Sequence, residues 1–423
     1  MTVIQVLEHQ RLSIDSLGSD NCLSRANAIV LENLEKGLPK GFISWGRDSV
    51  KFSQHCGVLA LGDTTIEVLP KIHGSEDDPG SSRQILVKML YAAKRLKTPP
   101  SGSASIGLQK NYLLDVFISH FCEELFSQLR EGMIRSYVVK EDNLPVLKGR
   151  LLLDQQLKLN SVHKEKMYCQ YDELVEDNLF NQIIKYTLYY LNKISVSGGT
   201  KRKITELLLR FGSVSDRDVS LKDFKNIQLS RVTGRYEYVL EQCAWFISGF
   251  SQDVVSGSNS SLALLFDMNR LFEEVVSVKL KRLSWSKGYK MRTQGPQKYL
   301  LRDMSADRPL FMMKPDITLL KDDSVKTILD AKWKMLGSDE SKYGISQSDL
   351  YQMVAYGTSY GCTSLALIYP KQSGINQSYI TFLLDAQQLT ISIVFVDVAK
   401  LTGSKLQVAQ EYEQLFRVLA DIK

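Results

Sequence analysis

The stretch Lys314–Lys334, KPDITLLKDDSVKTILDAKWK, reads as two short apolar strands, ITLL and TIL, joined by a polar turn at KDDS. Its ends are not what a purely structural hairpin requires. Asp316 leads into the first strand, and Asp330 and Lys332 close the second. Side chains two apart on a strand share a face, so Asp330 and Lys332 are neighbours. An antiparallel register symmetric about Asp323 sets Asp316 opposite Asp330, with the two Cβ atoms roughly 5 Å apart. Like charges facing each other at that distance repel, and a hard divalent cation reverses the sign. Mg²⁺ prefers oxygen ligands and keeps several waters, one of which can attack a phosphodiester. Lys332 would then hold that water, lower its pKa, or stabilise charge building on the phosphate.

Upstream, MNRLFEEVV supplies two more carboxylates, Glu273 and Glu274. Helical periodicity places Met268, Leu271, Phe272, Val275 and Val276 on a packing stripe with the glutamates on either side of it. Either acid can complete an oxygen shell, or both are solvated surface charges. Downstream, DLYQMVAYG sets Gln352 and Tyr356 four apart on one helical face, where they contact a phosphate, brace a ligand shell, or simply lie at the helix surface. Between the acidic helix and the hairpin, KLKRLSWSKGYKMR (Lys279–Arg292) interleaves Trp285 and Tyr289 with cations. That pattern fits a DNA backbone track, and equally a snorkelling helix end followed by an exposed loop.

The chain of 423 residues, 44% apolar and 24% charged, is long enough for two or three domains with their own cores. Residues 1–100 alternate as short strands with helical insertions and form a mostly β domain. KTPPSGSASIG (Lys97–Gly107) reads as a linker. Residues 108–252 are helix-rich, with a β-hairpin expected in RSYVVKEDNLPVLKGRLLL whose turn lies at Asp142 and Asn143. After a polar interval, Ser251–Ser261, residues 262–423 read as helix (LALLFDMNRLFEEVVSVKLKRL), the hairpin, helix, three strands and a final helix. The fold class is α/β multidomain, with a C-terminal mixed sheet flanked by helices.

A net charge of +6 is compatible with nucleic acid without requiring it. Six scattered cysteines with no CxxC pair fit a reduced compartment. No apolar run approaches the roughly 20 residues that span a bilayer, and no signal peptide opens the chain, so a cytoplasmic protein with no membrane partner is expected.

Together, GVLALGDTTIEVLPKI, MNRLFEEVV, KPDI…LDAKWK and DLYQMVAYG resemble, in order, the motifs of the McrC family, the nuclease subunit of McrBC-type modification-dependent restriction systems, within the PD-(D/E)xK superfamily. The resemblance implies a PD-(D/E)xK nuclease domain in which Asp316, Asp330 and Glu273 bind Mg²⁺ and Lys332 assists the water. Gln352 and Tyr356 are supporting residues. It also implies DNA as substrate and a McrB-like AAA+ GTPase hexamer as partner, which the N-terminal and middle regions dock onto and stimulate. No GxxxxGK[ST] loop is present; GSASIGLQK from Gly102 has Leu108 where the lysine belongs, so nucleotide hydrolysis falls to another chain. A stand-alone DNA nuclease and a non-catalytic activator of the ring are the alternatives.

Overall fold

The computed structural model describes residues 2–15, 21–75, 78–97, 112–162, 164–231, 233–252, 260–334, 336, 344–372, 375, 377–404, 406–411 and 413. The chain divides into two compact units, Asn111–Ala263 and a second one made of Thr2–Lys110 with Leu264–Lys423. The regions expected at 1–100 and 262–423 thus contribute to the same unit. The linker at Lys97–Gly107, all but Lys97, and the loop from Gly102 lie outside the described residues, as does most of the final helix.

The N-terminal part carries β1 (Thr2–Leu7), β2 (Arg11–Asp15), β3 (Leu23–Ser24), β4 (Ile43–Trp45), β5 (Ser49–Phe52), β6 (His55–Leu61) and β7 (Thr64–Leu69), with helices α1 (Arg25–Glu35) and α2 (Pro79–Ala92). β1 runs parallel to β7 and β6 antiparallel to it. β7 is buried along its whole length, which is why TTIEVL lacks a clean polar face. Its one acid, Glu67, is matched by Arg83 of α2 at 2.7 Å.

Gly57 on β6 adopts φ +149°, and a Cβ there would stand 2.0 Å from the Leu264 carbonyl oxygen. Because the obstacle is backbone, Gly57→Ala is expected to destabilise the protein by on the order of 2–3 kcal/mol. A thermal melt checks it, and an unchanged midpoint would show that the close approach is not needed.

The unit Asn111–Ala263 contains α3 (Leu113–Leu129), β8 (Ser136–Leu144), β9 (Arg150–Leu151), α4 (Leu153–Leu159), β10 (Met167–Val175), α5 (Leu179–Ile194), α6 (Gly198–Arg210), α7 (Glu237–Gly249) and β11 (Phe250–Gln252). The expected hairpin is not formed. Asp142 and Asn143 lie inside β8, which pairs over nine residues with β10, while β9 pairs with the other edge of β10. Turn residues are tolerated mid-strand here because this small sheet is largely solvated and each finds a partner. Tyr171 OH donates to Asp142, and the Asn143 and Asn160 amides exchange hydrogen bonds at 2.8 and 2.9 Å.

The C-terminal part holds β12 (Ser260–Asp267), α8 (Met268–Ser286), β13 (Lys290–Thr293), β14 (Lys298–Asp303), β15 (Arg308–Met313), β16 (Ile317–Lys321), β17 (Ser324–Ala331), α9 (Gln347–Tyr360), β18 (Ser364–Pro370), β19 (Tyr379–Leu384), β20 (Leu389–Val396) and α10 (Val398–Leu401). LALLFD, expected as helix, is strand β12. The helix begins only at Met268, where the Asp267 carboxylate accepts the Asn269 and Arg270 amides as an N-cap. The basic segment Lys279–Arg292 is likewise not a loop: α8 continues to Ser286, and Lys290–Thr293 forms edge strand β13 against β16. The β14–β15 hairpin between them was not anticipated.

A six-stranded mixed sheet, ordered β13-β16-β17-β18-β20-β19, carries the acidic hairpin. β17, β18 and β20 are parallel, and the others antiparallel. The central strands read as continuous apolar runs because both faces are covered, by α8 against β17 and by α9 against β17, β18 and β20. α9 ends at Gly361 in the left-handed conformation, φ +64°, the usual helix stop.

Candidate active site

The hairpin turn is made by Asp322 and Asp323, both at positive φ (52° and 55°), which fits the twist of a two-residue connection. That turn alone would put the register one residue off. A bulge beside Leu319 and Leu320 absorbs the difference, so Leu319 faces Thr327, Thr318 faces Ile328 and Ile317 faces Leu329. One step further along, Asp316 meets the end of β17. Its Oδ2 accepts the Ala331 amide at 3.0 Å.

Asp330 is 1% exposed, and its Oδ2 lies 2.7 Å from the Lys332 ammonium. Lys332 Nζ also donates to Gln352 Oε1 at 3.3 Å, and Gln352 Nε2 donates to Tyr356 OH at 2.8 Å. The pair on α9 therefore faces inward onto the lysine and does not lie at the helix surface. Gln352 aims the ammonium, and Tyr356 holds the amide in the one orientation that leaves its oxygen free to do so.

On α8, Met268, Leu271, Phe272, Val275 and Val276 are all buried, and the two glutamates part company. Glu274 is gripped by the Arg95 guanidinium at 2.6 and 2.8 Å and approached by Arg270 at 3.3 Å. Glu273 instead accepts the side-chain amide of Gln294, which also lies 3.4 Å from Asp316 Oδ1. Gln294 thus stands between two acids and was missed in the sequence, where only the Gly295–Pro296 turn signal beside it was visible. Behind Asp330, Asp349 pairs with Lys334 at 2.7 Å and accepts from Tyr369 OH at 3.2 Å.

The electrostatics register this convergence. Burial, and then the Asp330 and Glu273 charges, push the Asp316 carboxyl up to about 7. Burial raises Glu273 as well, assisted by Asp330 and Glu274 and opposed by the Gln294 hydrogen bond. At Asp330 burial outweighs the neighbouring ammonium, so that carboxyl also moves up. Burial works against the Lys332 charge, yet the carboxylates of Asp330, Asp316 and Asp349 overcome it and move the ammonium upward. Burial pushes Tyr356 up to about 12, so its phenol keeps its proton.

These groups border a cleft of about 840 Å³ whose walls include Arg270, Lys281, Lys314 and Lys332 together with Glu273 and Asp316. Among the described residues no three His, Cys, Asp or Glu side chains form a ready-made metal cage. The donor set still fits Mg²⁺, which is held through one or two carboxylates and retains water and substrate oxygens for its other positions. Three acids that raise one another, with an amide donor lodged between two of them, form a place where added positive charge is favourable.

No helix among the described residues is long and apolar enough to cross a membrane. All six cysteines are free.

A family model described as McrBC 5-methylcytosine restriction system component matches residues 50–370. The type IV methyl-directed restriction enzyme EcoKMcrBC of Escherichia coli (strain K12) is 24% identical over 259 residues, covering 58% of this chain and 72% of that protein. The fold is similar to a chain in the refined half-complex from the tetradecameric assembly of Thermococcus gammatolerans McrB AAA+ hexamers with bound McrC. The TM-score there is 0.78 at 20% identity, covering 100% of both chains. A chain of the Thermococcus gammatolerans McrBC complex gives 0.54 at 22% identity, over 66% of this chain and 88% of that one.

Proposed function

Since the chain belongs to the family of McrBC 5-methylcytosine restriction system components, we propose that it is the nuclease subunit, hydrolysing DNA phosphodiesters with Mg²⁺ in a PD-(D/E)xK domain. The observation that carries this reading is the Asp316–Asp330–Lys332 constellation at the end of the β16–β17 hairpin, with Glu273 approaching from α8. Asp316, Asp330 and Glu273 are the residues that would hold the metal. Bound there, Mg²⁺ supplies Lewis acidity toward a phosphate and acidifies a water.

The protein's own residues do the rest. Lys332, charged beside Asp330, presents an ammonium to negative charge growing on the phosphate rather than a base to a proton. Gln352 and Tyr356 keep it aimed, and Ala331 N–H fixes the Asp316 carboxylate by one oxygen. Arg270, Lys281 and Lys314 along the cleft offer phosphate contacts to a DNA backbone.

The partner in this proposal is a McrB-like AAA+ GTPase hexamer, which supplies the nucleotide hydrolysis for which this chain has no phosphate loop. A surface for it exists on the Asn111–Ala263 unit. Tyr137, Val139, Val146, Leu153, Leu157 and Val162 are all more than half exposed around the β8-β10-β9 sheet, a concentration of apolar surface that marks a protein interface.

The test is DNA cleavage by the chain with its GTPase partner, GTP and Mg²⁺. Glu273→Gln is expected to lower the cleavage rate by roughly 10²-fold or more, while Glu274→Gln, which loses only an exposed ion pair to Arg95, changes it by less than about threefold. Equal losses in the two variants would overturn the assignment of Glu273, and no cleavage by wild type would overturn the function.

A further inference from the structure

We infer that Glu8 of the N-terminal sheet is a positioning residue for the nuclease centre, gripping the Trp333 indole and thereby fixing where Lys332 stands. The inference rests on the nuclease reading of Lys332. The β17 ladder ends as Lys332 N–H donates to Ile368 O at 2.9 Å. From there the chain is held through Trp333. Its backbone N–H donates to Asn269 Oδ1 at 2.9 Å, its indole N–H donates to Glu8 Oε1 at 2.7 Å, and its ring packs edge-on against Phe272 with centroids 5.5 Å apart. Asn269 and Phe272 lie on α8, the helix that carries Glu273.

Glu8 is itself immobilised. It follows β1 directly, its N–H donates to Leu69 O at 2.8 Å, and its Oε1 takes a second hydrogen bond from Lys71 N–H at 3.1 Å. The residue is 1% exposed, and Oε2 is buried without a hydrogen-bond partner, with His9 Nε2 3.9 Å away. A carboxyl kept in such a place is a costly way to fill a core. Burial pushes it up to about 7 even with the indole bond in place. What the carboxyl does supply is an acceptor of fixed position for the indole of the residue next to Lys332. The Lys332 ammonium must stay within reach of both Asp330 and Gln352, so a shift of the β1–β7 edge would be passed to it through one side chain.

Full-length Glu8→Gln, Glu8→Leu, Trp333→Phe and the Glu8→Leu/Trp333→Phe double variant, each assembled with the partner, test this. Glu8→Leu and Trp333→Phe are expected to lower kcat for DNA cleavage about tenfold or more with KM within about twofold. The double variant should be no worse than the poorer single one, since one hydrogen bond is lost in all three. Glu8→Gln keeps an acceptor oxygen and should retain at least about half of wild-type kcat. Hydrogen exchange at the Lys332 and Trp333 amides should quicken in Glu8→Leu and Trp333→Phe but not in Glu8→Gln. Wild-type kcat in Glu8→Leu, additive losses in the double variant, or unchanged exchange would each overturn the inference. If wild type does not cut DNA, the nuclease reading falls, and the exchange comparison still decides whether Glu8 governs this segment.

Discussion

Asp330→Asn and Lys332→Met are each expected to lower DNA cleavage by roughly 10²–10⁴-fold while leaving stimulation of the partner's GTP hydrolysis at the wild-type level. The two residues form one ion pair at 2.7 Å in which Asp330 is buried and Lys332 partly so. Removing either charge leaves the other without its counter-charge, so both variants need a check of folding, by circular dichroism and by their binding to the partner. Asp330→Asn keeps the shape and volume of the side chain while taking away the anionic oxygens a hard cation needs. Lys332→Met keeps the aliphatic stem that packs beside Gln352 while taking away the charge. Loss of cutting with intact stimulation separates a nuclease subunit from a ring activator whose acidic hairpin is structural. Retention of more than about a tenth of the wild-type cleavage rate in both would leave the pair without a catalytic role.

How far the site could be read in advance depended on whether its parts were joined by local periodicity. The facing of Asp316 and Asp330 follows from strand alternation and a tight turn, both written within twenty residues. It survived a mistake about the turn, since the bulge near Leu319 returned the strands to the register that a turn centred on Asp323 would have given. The helical spacing of Gln352 and Tyr356 was equally local. What the helix period could not decide was which of Glu273 and Glu274 faces the acids, because the deciding group is Arg95, 179 residues away in sequence. Gln294, Asn269 and Glu8 were invisible for the same reason: each acts by a contact across the fold. Errors in secondary structure had a different origin. LALLFD is a short apolar run, which suits a buried strand and a buried helix alike until its length between Ser260 and the Asp267 cap is known. KEDNL reads as a turn by composition, yet lies flat in β8 because Tyr171 and Asn160 satisfy its side chains.

Asp316→Asn should make the protein more stable at alkaline pH than wild type, although it removes a residue placed at the centre of the site. Buried between Asp330 and Glu273, the Asp316 carboxyl is raised from 3.8 to about 7. The folded state therefore holds a proton on Asp316 through a pH range in which the unfolded chain has released it. Stability then falls as pH rises from about 4 to about 7 and is level above that, with a total loss on the order of 2–4 kcal/mol. An asparagine cannot ionise, and its Oδ1 can still accept the Ala331 amide, so the variant escapes that loss. Melting curves of the two proteins should lie close together at the acid end and separate as pH rises to 8. Mg²⁺ should narrow the gap, because a cation on the acids stabilises the charged wild type by about 2.7 kcal/mol at a hundredfold excess over its Kd and finds less to bind in the variant. Parallel curves from pH 5 to pH 8 would mean that Asp316 ionises as an ordinary surface acid, and the convergence of three carboxylates on which the nuclease assignment depends would be wrong.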